Sequence, residues 1–80
     1  MNLKNNVIIT ESKKRYLIIE TVEYETRIFA FLVNDRNDLD TMFMEILDGG
    51  KSIKTIVPEF FEGIIYPLFN EKFLEKNNID

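Results

Sequence analysis

Apolar residues in the first two thirds of the chain alternate with polar ones or gather in short blocks; towards the end they recur every three or four positions. A period of two marks strands and a period near 3.6 marks helix. The β-branched run at residues 7–11 predicts a first strand, and Ser12, Lys13 and Lys14 supply a polar connection. Residues 15–24 predict a second strand. Its even positions Tyr16, Ile18, Val22 and Tyr24 form an apolar set interrupted by Glu20, while its odd positions pass from Leu17 and Ile19 to Thr21 and Glu23. Glu25 and Thr26 make a short hairpin connection, although neither favours positive φ. Residues 27–34 predict a third strand with Ile28, Ala30 and Leu32 on one face and Phe29, Phe31 and Val33 on the other. Such a strand belongs in the middle of a sheet covered on both sides.

Residues 34–40, rich in Asn and Asp, predict a loop; 41–47 a fourth strand; Asp48-Gly49-Gly50 a turn; and 52–57 a short fifth strand. Pro58 then opens a helix, where its missing N–H costs nothing. Glu59 and Glu62 sit in its first turn, and Phe61, Ile64, Ile65, Leu68 and Phe69 form its apolar stripe. Pro67 removes a helical hydrogen bond and clashes with the carbonyl of Gly63, so a kink, or two helices meeting near Tyr66, is expected.

The resulting fold class is α+β: an antiparallel meander of four to five strands followed by one C-terminal helix kinked near Pro67. Eighty residues form a single domain over 1–80, with 1–6 and 77–80 as candidate disordered termini. One helix covers one face of a sheet, so the apolar surplus on the other face calls for a partner. Phe29, Phe31, Val33, Met42 and Met44 are the candidate interface, with the Ile28, Ala30 and Leu32 face as the alternative contribution from the third strand.

Composition narrows the chemistry. The chain has no Cys and no His, which excludes disulfides, thiolate metal sites and the usual nucleophile–His pairs. No metal and no cofactor is expected. Of the staples that small domains use, association with another chain is the one left open. No signal peptide or apolar run long enough to span a membrane is visible, so the expected location is the cytoplasm, without a membrane partner. A net charge of −4 argues against nucleic acid as a partner, although Lys13, Lys14 and Arg15 beside Tyr16 could stack on and neutralise a strand.

The acidic loop lacks the Gly and the ligand spacing of a calcium-binding hand. Gly50-Lys51-Ser52 lacks the leading Gly of a phosphate loop, because position 45 is Glu. Glu20, Glu23 and Glu25, or Asp35, Asp38 and Asp40, are carboxylate candidates for acid–base work; their plainer reading is a solvated strand end and a solvated loop.

The stretch Tyr16-Leu17-Ile18-Ile19, the Val22-Glu23-Tyr24 triplet, the Phe29-Ala30-Phe31-Leu32 strand, Glu45-Ile46, Asp48-Gly49 and the acid-started terminal helix together resemble the small acidic YrzB-like proteins of Gram-positive bacteria. The resemblance implies two strand pairs flanking a variable acidic loop and a terminal helix; the family has no established activity, so the resemblance implies a fold and carries over no function and no functional residues. That family usually carries Gly in the first hairpin turn, where this chain has Glu25-Thr26. The functional expectation is a non-enzymatic protein-interaction module, either for another protein or for itself as a homodimer. The alternatives are an acidic inhibitor or nucleic-acid mimic encoded by a mobile element, and a carboxylate-based enzyme.

Overall fold

Five antiparallel strands follow one another across a single sheet in chain order: β1 (Val7–Ile9), β2 (Arg15–Tyr24), β3 (Arg27–Asn34), β4 (Thr41–Leu47) and β5 (Ser52–Lys54). A computed structural model describes residues 3–77. The helical segment comprises α1 (Pro58–Phe60), a π-helical turn (Phe61–Ile65) and α2 (Tyr66–Asn77). The α+β meander and its terminal helix are as the hydrophobic pattern predicts.

The first and fifth strands are shorter than their sequence patterns. Thr10 is drawn into a tight turn, in which its carbonyl accepts from Lys13 N–H and its N–H donates to Lys14 O. Beyond Lys54 the chain leaves the sheet and Ile56 packs with the helix. The break near Pro67 takes the form of the π turn. Pro67 has no N–H to give to the Gly63 carbonyl, and the preceding Tyr66 N–H bonds to Phe61 O, one residue further back than in an α-helix.

One irregularity organises both faces. The β2–β3 register slips between Ile18, which opposes Leu32, and Glu20, which opposes Phe31. The extra residue is a β-bulge at Ile19, and it exchanges the faces of the two halves of β2. Tyr16 and Ile18 therefore join Ala30, Leu32 and Ile46 on one face, while Val22 joins Phe29 on the other. Glu20 does not interrupt the Tyr16–Ile18 stripe; it lies on the opposite face.

The helix packs on the Phe29 face. Phe43 meets Phe61 at 5.0 Å and Phe69 at 4.9 Å between ring centroids, Phe31 meets Phe73 at 5.9 Å, and Phe29 meets Phe60 at 5.7 Å. Phe29, Ile65 and Phe69 are completely enclosed there. These tilted and edge-on contacts add to the area term that dominates aromatic burial.

Among the described residues no helix covers the second face, yet Ile18, Ala30 and Leu32 are fully buried. The sheet covers it by curling. Leu3 and Ile8, from the β1 edge, share one core cluster with Ile46, against which Met42, Met44 and Ile53 from the opposite edge also pack. Leu3 Cδ2 lies 3.8 Å from where a Cβ on Gly50 would stand. In a flat sheet four strand spacings would hold the edges about 19 Å apart. The expectation that a partner must cover this face is therefore corrected: the chain closes most of it alone. Of the expected disordered start 1–6, residues 1–2 lie outside the described residues, while Leu3 is buried and Asn5 N–H and Asn6 O bond to Ile18. Asn77 ends α2, and 78–80 lie outside the described residues.

Candidate functional site

The five residues expected to form an interface do not share a surface. Phe29 is fully enclosed beneath the helix, so its assignment to a contact surface is corrected. Phe31 lies half-buried between Phe43 and Phe73. Val33 is half-buried in register with Leu17, which is in turn opposite Val7, so these three form an apolar row across three strands. Met42 and Met44 occupy the other face, opposite Leu32 and Ala30.

Met42 and Met44 line a groove of about 650 Å³ between the two sheet edges. Ile8 and Ile9 border it from β1, and Ser52 and Ile53 from β5. Among the described residues β1 pairs only with β2 and β5 only with β4, so each keeps one ladder edge without a strand neighbour there. Ile9 is 64% exposed at the rim. The arrangement offers unpaired backbone edges on both sides of a flexible, methionine-containing floor.

A second pocket, of about 410 Å³, joins the β1–β2 hairpin to the β3–β4 loop. The basic cluster and the acidic loop that the sequence presents separately meet here. Arg15 Nε lies 3.4 Å from Asp35 Oδ2, and Lys14 Nζ lies 3.8 Å from Asp40 Oδ2. Tyr16 Oη donates to the same Asp40 oxygen at 2.7 Å, and Asn34 Nδ2 donates to it at 3.1 Å. The hydrogen bonds from Tyr16 and Asn34, with help from Lys14, hold the Asp40 carboxyl below its ordinary pKa. That same bond to Asp40, followed by desolvation, pushes the Tyr16 phenol up. Tyr16 is 4% exposed, which removes it as a stacking platform for a nucleic-acid base.

The other carboxylates are structural or dispersed. Glu45, buried on the helix face, accepts two bonds from Arg27, whose guanidinium also lies 4.8 Å from the centre of the Phe60 ring. Those bonds hold the Glu45 carboxyl below its ordinary pKa despite burial. Glu20 is fully buried between Lys4 at 3.2 Å and Lys72 at 3.6 Å. Glu23 and Glu25 lie at the β2–β3 turn, whereas Asp35, Asp38 and Asp40 lie on the loop at the other end of β3. These six acids therefore present no continuous face. Among the described residues, no group of three or more His, Cys, Asp or Glu side chains is placed to hold a metal ion. No helix among them is long and apolar enough to cross a membrane. No family model matches the sequence, and comparison with curated proteins and with solved structures finds no match.

Proposed function

We propose that the protein is a cytoplasmic protein-interaction module that binds an extended segment of another polypeptide in the groove between β1 and β5. The supporting observation is the coincidence of two open strand edges with the groove that Ile8, Met42, Met44 and Ile53 line. An added strand pairs its backbone with an edge and sends alternate side chains towards the methionine floor. Main-chain bonds supply affinity, and the apolar floor selects the side chains. The segment belongs to a different protein or to a second copy of this chain, the latter giving a homodimer.

Random linear peptides displayed against the folded domain test this reading. Selected peptides are expected to alternate apolar and polar residues and to weaken about tenfold against Ile9→Asp, a change at an exposed rim position. Peptides that bind Ile9→Asp equally well, and leave the amide signals of β1 and β5 unmoved, would overturn it. Light scattering on the full chain separates self-association from binding to other proteins.

A further inference from the structure

The pocket between the β1–β2 hairpin and the β3–β4 loop holds a charge imbalance opposite to that of the whole chain. Lys13, Lys14, Arg15 and Arg36 line it against two carboxylates, Asp35 and Asp40. The carboxylates are engaged with Arg15 and Lys14. Lys13 and Arg36 have no ion-pair partner among the described residues, and they line the pocket from two different segments, the β1–β2 hairpin and the β3–β4 loop.

Both of these cations sit on constrained backbone. Lys13 adopts φ +64°, a conformation that Gly reaches at lower cost. Its N–H bonds to Thr10 O, which holds the turn. Arg36 N–H donates to Asn34 Oδ1 at 2.8 Å, and Asn34 also holds Asp40 through its amide. The side chains are exposed, but the backbone that carries them is tied to the ion-paired wall.

We propose that this pocket binds a compact anion of the phosphate class, clasped between the Lys13 ammonium and the Arg36 guanidinium. Arginine offers a fork that matches phosphate oxygens, and lysine adds a point charge. The volume suits one or two phosphate groups rather than a strand. Tyr16 is buried, so the pocket offers no aromatic face of its own for a base, which distinguishes it from a nucleic-acid track.

The test is amide NMR titration of the full chain with inorganic pyrophosphate. Saturable shifts confined to residues 13–15 and 34–37 are expected at millimolar concentration, with affinity falling as salt rises. The double variant Lys13→Gly, Arg36→Ser should bind about tenfold more weakly, the loss expected when charge-assisted bonds vanish. Gly at position 13 relieves the positive φ, and retention of the remaining amide spectrum confirms that the variant is folded. No saturable shift, equal affinity in the double variant, or tighter binding of a short oligothymidylate would overturn the proposal.

Discussion

Arg27 and Glu45 are joined by two hydrogen bonds, Nε to Oε2 at 3.0 Å and Nη2 to Oε1 at 2.9 Å. They are diagonal neighbours on the helix face, since Glu45 is directly opposite Phe29. Arg27 also lies within 5.2 Å of the Phe29 ring centre and 4.8 Å of Phe60. The pair thus closes the end of the aromatic core where the helix begins. Arg27→Leu leaves the Glu45 carboxylate buried without its main partner, so it should lower the urea midpoint at neutral pH. The deficit should shrink in acid, where Glu45 is protonated in both proteins. Equal deficits at neutral and acid pH would show that the pair acts only through packing.

The same carboxylates set the acid limb of stability. Glu45 and Asp40 both have folded pKa values below their unfolded ones. A depressed carboxylate stabilises the fold above its unfolded pKa and loses that contribution as pH falls through its folded pKa. Stability should therefore decline below about pH 4.5, the region where free carboxylates begin to take up protons. Tyr16 works in the other direction, because its folded pKa is raised. Its contribution is complete below about pH 10 and is lost as pH rises through the folded pKa. Tyr16→Phe should remove this alkaline limb and, by taking away a donor to Asp40, shift the Asp40 carboxyl upwards. Urea midpoints measured across pH check both limbs.

The β2–β3 turn carries a correctable strain. Glu25 and Thr26 adopt φ +49° and +67°, and threonine is β-branched. An Asn-Gly pair suits a two-residue turn with positive φ at both positions. Replacing Glu25 with Asn and Thr26 with Gly should stabilise the domain by about 1–2 kcal/mol, measured by urea unfolding. No change in the midpoint would mean that the turn relaxes its dihedrals without the substitutions.

Lys72 ties the helix to the sheet. Its Nζ donates to Thr21 O at 2.6 Å and lies 3.6 Å from the buried Glu20. Lys72→Met should cost about 1–2 kcal/mol, because it withdraws a charge-assisted bond from a half-buried strand carbonyl. Phe69→Ala should cost more, about 3–5 kcal/mol, since it empties the centre of the aromatic cluster. A domain of this size holds only about 4–12 kcal/mol in total, so Phe69→Ala should be close to unfolding at ordinary temperature. Calorimetric unfolding of the two variants tests this ranking.

The central strands were legible in the chain because their patterns are self-contained. The bounds of β2, β3 and β4 match the alternation that marks them, and Pro58 marks the helix start. The bulge at Ile19 was not legible. A polar residue in an apolar stripe reads as an interruption, and only pairing with β3 shows that it has changed face. The curl depends on contacts between residues far apart in sequence, such as Leu3 and Gly50, which no local period encodes. The helix face had a usable signal: Tyr24, Phe29, Phe31 and Phe43 form an aromatic set that matches the Phe-rich helix, while the opposite face is mainly aliphatic, with Tyr16 as its one buried aromatic among the described residues. Met42 and Met44 were singled out for apolar excess, and they line the open groove, whereas Phe29 was taken up by the helix.

Nuclear Overhauser contacts from the Leu3 methyl groups measure the curl most directly. Leu3 precedes one edge strand and Gly50 precedes the other, so a cross-peak between a Leu3 methyl and a Gly50 Hα is expected in the monomer, with the outward amides of β1 and β5 exchanging fast. A domain in which the β1–β2 pairing is intact, that cross-peak is missing and the β1 and β5 outward amides are protected would contradict a self-curled sheet with an open groove.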